Sequence, residues 1–118
     1  MTQEFEPGDY LIFQLESGYG LLRVLAVEGA DGDPVWHVLA YSELFLDVEM
    51  ADAAIDSGRL TAGRPHMALT DRAFESTQVS KMQNKPLIEA ELAAYRQWQS
   101  DPAREVSDRS VRLMLGLR

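Results

Sequence analysis

The amino-acid sequence predicts an α+β domain, an N-terminal antiparallel β-meander with two or three helices packed on it. Three observations point there. Between Asp9 and Tyr41 the apolar residues recur with period two and are interrupted at glycine- and proline-rich turns. From Ser42 onward the spacing becomes helical. The 118 residues, 46% hydrophobic and 25% charged, suit one globular unit with a core of its own. With no repeat, low-complexity tract or linker, 1–118 reads as a single domain, 1–41 forming the meander and 42–118 mixed helices and short strands.

Pro7-Gly8 is a turn signal, and Asp9–Leu15 follows as the first strand, with Leu11, Phe13 and Leu15 alternating with Tyr10, Ile12 and Gln14. Gly18-Tyr19-Gly20 is read as the next turn, since glycine accepts the positive φ of tight hairpins. Leu21–Val27 is apolar on both faces apart from Arg23, so that strand is expected to be covered on both sides. The Gly29–Pro34 segment turns the chain into a third strand, Val35–Tyr41, rich in β-branched and aromatic residues. Twisted meanders of this kind commonly curl into small SH3-like barrels.

Val48, Ala51 and Ile55 then define one helix face, Glu49, Asp52 and Asp56 another, and Gly58 stands where a helix would end. A connector through Gly63 and Pro65 leads to a short strand at His66–Leu69. Thr70-Asp71 can cap a helical turn at Arg72–Glu75, and Gln78–Met82 returns as a strand. The clearest helix spans Pro86 to Ser100, with Leu87, Ile88, Leu92, Ala94, Tyr95 and Trp98 on its core-facing arc. After Pro102, Ser107-Asp108 offers a cap for a short helix in Val106–Leu117, with a strand as the alternative.

Charge is unevenly placed. Residues 1–58 hold twelve acids against one base, Arg23, a net of −11, whereas residues 59–118 carry +3. So acidic a surface repels nucleic-acid phosphates and anionic membranes and attracts basic partners. Neither direct nucleic-acid binding nor membrane association is expected. The absence of cysteine excludes thiolate metal sites and thiol nucleophiles. The acidic start of the chain and the lack of a long apolar run lead to the expectation of a cytoplasmic protein.

No recognisable catalytic or cofactor motif appears, so the chain is expected to act by binding, without enzymatic activity, cofactor or metal. His37 and His66 lack metal-ligand spacing and read first as structural. Asp31-Gly32-Asp33 resembles the start of a calcium loop, but Pro34 and the missing downstream glutamate make it a turn. Tyr19 is either an exposed contact residue at a hairpin tip or folded back onto the sheet. Glu49, Asp52 and Asp56 repel one another, and Asp56 sits at the negative end of the helix dipole. Such a stripe suits basic residues on a partner. If the late helix starts near Ile88, Glu91 falls in its first turn, where a carboxylate is favoured.

The run Gly8-Asp9-Tyr10-Leu11-Ile12-Phe13, then Gly18-Tyr19-Gly20 before Leu22-Arg23-Val24-Leu25, resembles bacterial polymorphic-toxin immunity proteins of family twenty-six. His66-Met67-Ala68-Leu69-Thr70-Asp71 and the helix around Glu91-Leu92 and Trp98 are compatible with the likeness. The resemblance implies a cytoplasmic antidote that neutralises a cognate toxin, frequently a nuclease, by direct binding. It supplies no catalytic residue to carry over. The partner-binding surface expected from charge and turns comprises Tyr19, Asp31, Asp33, Glu43, Glu49, Asp52 and Asp56, facing a basic protein. A second reading is an adaptor with a groove of Tyr10, Tyr19, Trp36 and Tyr41. A third, enzymatic, reading requires His37 and His66 to meet beside an acid.

Overall fold

Alternating apolar residues on strands can be buried on both faces only if something packs on each side, and helices do so here. The computed structural model describes residues 5–29 and 32–117. In chain order they form β1 (Asp9–Leu15), β2 (Gly18–Glu28), β3 (Val35–Phe45), α1 (Val48–Ser57), β4 (Ala62–Thr70), α2 (Asp71–Glu75), β5 (Val79–Asn84), α3 (Glu89–Ser100) and α4 (Val111–Leu115). The strands make one antiparallel sheet of order β4-β3-β2-β1-β5.

This is the expected α+β fold with its N-terminal meander, and the sheet is open. β4 adds to the outer edge of β3 and β5 to the outer edge of β1, so the two edges of the meander are extended and do not join each other. On one face, Leu11, Phe13, Leu22, Val24, Trp36 and Val38 pack with Ala73 and Phe74 of α2 and Val111 of α4. On the other, Tyr10, Ile12, Leu21 and Phe45 meet Ala51 and Ile55 of α1, and Leu25 and Leu39 meet Tyr95 of α3. β2 is therefore covered on both sides, as its sequence indicated.

Three local expectations are corrected. The β1–β2 turn is Glu16-Ser17, and Gly18-Tyr19-Gly20 already belongs to β2, with Leu15 opposite Gly18. Gly20 is needed for space: a Cβ there would lie 2.5 Å from the Phe13 ring opposite it. α3 begins at Glu89 and not at Pro86. The preceding segment is held from outside the helix, Lys85 N donating to Gly8 O and Lys85 O accepting from the Arg23 side chain, Nη2, at 2.7 Å. Ile88 consequently sits at the helix entrance, exposed and off the buried arc. The tail does form a helix, but Ser110 caps it, accepting from Leu113 N. Ser107 cannot, because its backbone bridges to β4, donating to Ala68 O and accepting from Thr70 N.

Gly58 and Thr70 cap their helices as the sequence indicated, and Asp47 adds a further cap to those expected. Asp47 accepts from Met50 N at 2.8 Å to start α1, and Gly58, at φ 70°, ends it. Thr70 caps α2 through Ala73 N.

Candidate functional site

The register of the sheet brings two histidines and an acid together. His37 lies opposite Ala26 on β2 and Ala68 on β4, which makes Glu28 and His66 its diagonal neighbours on the same face. His37 Nε2 is 2.6 Å from Glu28 Oε1, and His37 Nδ1 is 2.9 Å from His66 Nε2. The imidazoles stack at 5.1 Å, and Tyr95 and Trp98 of α3 close over them. Tyr95 donates to Glu28 Oε2 at 3.0 Å and accepts from Gln99 Nε2.

These bonds assign the protons. Burial pushes the Glu28 carboxyl up, but hydrogen bonds from His37 and Tyr95 outweigh it and hold the group below the usual range, as a carboxylate. His37 must then donate from Nε2, which leaves Nδ1 to accept from His66 Nε2–H. His66 Nδ1 becomes the terminal acceptor. Burial lowers the pKa of both rings, His66 to about 4, where the adjacent His37 adds to the effect. Both are neutral near pH 7.

His66 lines a cleft of about 560 Å³ beside β4, bordered by Trp98, the segment Glu105–Ser107 and α4. Arg64 and Arg109 border it, and so do Val106 and Leu113. Among the described residues no group of three or more metal-ligating side chains converges.

The residues expected to bind a partner are spread over the molecule. Glu49, Asp52 and Asp56 are exposed on α1. Asp52 and Asp56 both accept from Gln83 Nε2 on β5, and Lys85 lies 3.8 Å from Asp56, so part of the stripe is engaged. Glu49 has no hydrogen-bond or ion-pair partner among the described residues. Glu43, half-buried on β3, accepts from Thr61 N at 2.7 Å. Tyr19 is folded back, packed beside Tyr10, Ile12, Leu21 and Phe45. Asp33 is exposed at the β2–β3 connection, the full length of β3 away from α1. Asp31 lies outside the described residues.

Comparison of the chain with family models, curated proteins and solved structures finds no match. The sites must be read from their own chemistry.

An exposed apolar run had no signal in the charge reading. Leu44, Leu46, Val48 and Met50 are all exposed, Leu46 at 77%, around the corner from β3 into α1. Glu43, Asp47 and Glu49 interleave with them. Scattered exposed apolar residues are ordinary on a surface; a succession of them along the chain, interleaved with acids, suits an interface, and Leu44 also borders a small cleft with Arg64, Leu115 and Leu117. The aromatic groove of the adaptor reading does not form. Trp36 is buried on the opposite sheet face from Tyr10, stacked on Phe74 at 4.1 Å with its N–H given to Asp71. Tyr10 and Tyr41 do stack, at the floor of a groove of about 640 Å³ between α1 and α3.

Arg23 is the other residue whose role needed three dimensions. It is buried, donating to Gly8 O, Tyr10 Oη, Lys85 O and Glu91 Oε2, the last at 2.6 Å. Glu91 accepts from Ile88 N through its second oxygen and so caps α3 while pairing Arg23. The one base of residues 1–58 is thereby withdrawn from the surface, which leaves that half more acidic outside than its composition states.

Proposed function

We propose that this chain is a binding protein that occupies a basic protein partner through the β3–α1 corner, in the manner of an immunity protein neutralising a toxin. The observation that carries the reading is the exposed run Leu44, Leu46, Val48 and Met50, interleaved with Glu43, Asp47 and Glu49 and continued by Asp52 on α1. Apolar side chains at the centre of such a patch supply contact area, and acids at its rim select a basic counterpart and steer its approach. A nuclease groove, which must hold phosphates, has the complementary charge. Burial of Arg23 supports the same reading, since it leaves no basic side chain of residues 5–58 exposed among those described.

The distal acid Asp33 is not part of this surface. The test compares the tagged chain with Leu46→Arg and Asp33→Arg variants in capture from extracts of the cells that make it. One basic protein should be held at near-equal stoichiometry by the parent and by D33R, be released by about 0.5 M salt, and be lost with L46R. Its nuclease or other toxic activity should be blocked while bound. Equal retention by L46R, or a bound set that resists salt, overturns the assignment.

A further inference from the structure

We infer that the cleft beside His66 is a binding site for a small phosphate monoester, with His66 Nδ1 accepting the acidic proton of the phosphate. Glu28 fixes the tautomer of His37, and His37 fixes that of His66, so the ring nitrogen of His66 left over, on a residue that lines the cleft, carries a lone pair and not an N–H. That lone pair repels a fully ionised oxyanion and welcomes one that still carries an O–H. Arg64, which also donates from Nη1 to Met114 O, and Arg109 line the cleft and attract the remaining negative charge. The lining also carries apolar groups: Leu113, 71% exposed, Val106 and Trp98. These are costly groups to leave in water, and they suit the organic part of a monoester. The volume, about 560 Å³, is that of a small-molecule site. Glu105, the one acid on the lining, has its carbonyl tied to the Trp98 indole N–H, and Ser107 Oγ accepts from Arg109 N.

Phosphate monoesters keep one proton near pH 6, whereas sulfate monoesters of the same shape have none. Phenyl phosphate and phenyl sulfate therefore isolate the role of His66. At about pH 6 the charged and titratable groups around the ring are Glu28 of β2, His37 of β3, Arg64 of β4, Tyr95 of α3, and Glu105 and Arg109 beyond it. None of these is altered between the two titrations. Binding, read from tryptophan fluorescence and from histidine ring ¹⁵N shifts, should be at least tenfold tighter for phenyl phosphate. Both histidines should show the Nε2–H tautomer before ligand is added. Inorganic phosphate should bind more weakly than phenyl phosphate.

H66Q should lose the preference, and R109A should weaken both esters together. Equal affinity for the two esters, a preference that survives H66Q, or inorganic phosphate binding as tightly as phenyl phosphate would each overturn the inference. A thermal melt confirms that the variants are folded. If H66Q is not, the tautomer spectrum and the two-ester comparison on the unaltered chain decide alone.

Discussion

At the scale of single residues, the buried polar groups are satisfied in ways that make the fold sensitive to acid. Burial holds His37 and His66 neutral in the fold, His66 down to about 4, while the unfolded chain titrates near the ordinary 6.5. Below 6.5 the unfolded state binds more protons, so stability is complete above that pH and is lost as pH falls from 6.5 towards 4. The loss should be on the order of 2 kcal/mol, read from urea unfolding at stepped pH. H66Q should flatten that slope, and an unchanged slope would show that the pair does not titrate as described. Burial raises the Asp9 carboxyl, but hydrogen bonds from Asn84, Glu6 N and Lys81 prevail and hold it below 3.8, so its contribution is lost only at lower pH. Arg23 poses a second test. R23A leaves Glu91 without its ion-pair partner and takes a donor from Gly8 O, Tyr10 Oη and Lys85 O, and should cost about 3 kcal/mol. E91Q has a single acceptor oxygen for the two donors Ile88 N and Arg23 Nη1. It loses one of these bonds but leaves no buried charge on the carboxyl side, and should cost less than R23A.

At the scale of elements, caps and close approaches decide the boundaries. D47A removes the oxygen that accepts from Met50 N and should destabilise by about 1 kcal/mol in the same unfolding assay. G20A drives a methyl group into the buried Phe13 ring and should cost about 1–3 kcal/mol, although glycine to alanine within a strand is otherwise favourable. These two regions also show what the sequence could convey. The helix ending at Gly58 reads correctly because its terminal glycine and its 3.6-residue spacing are local. Gly18-Gly20 misleads, because Gly20 serves a ring across the strand pair and not a turn. Pro86 misleads for a similar reason: a bond from Arg23, 63 residues away in the chain, keeps its neighbour extended. Glu28 and His66 are diagonal to His37 once the register is known. The β2–β3 loop length is compatible with more than one register, so their convergence was not legible. The exposed apolar run was visible only as residues of ordinary hydropathy, since exposure is a property of the assembled fold.

At the scale of the molecule, a sheet covered by α1 and α3 on one face and by α2 and α4 on the other has no large apolar face left over. Exposed apolar side chains then carry information. Of the large ones on the described surface, Leu44, Leu46, Val48 and Met50 follow one another in the chain from β3 into α1, and Val106 and Leu113 line the His66 cleft, which leaves Ile88 at the entrance to α3. The two groups lie in different charge environments, acidic at the corner and basic at the cleft, and suit different ligands. The acidic corner should act first through rate. The most direct measurement is the association rate of the captured basic protein with the parent chain and with E49K/D52K, followed from about 50 to 500 mM salt. The parent should associate fastest at low salt and slow steeply as salt rises, and the variant should be slower and nearly flat. Rates that are the same for both chains, or that ignore salt, would contradict recognition through the β3–α1 corner.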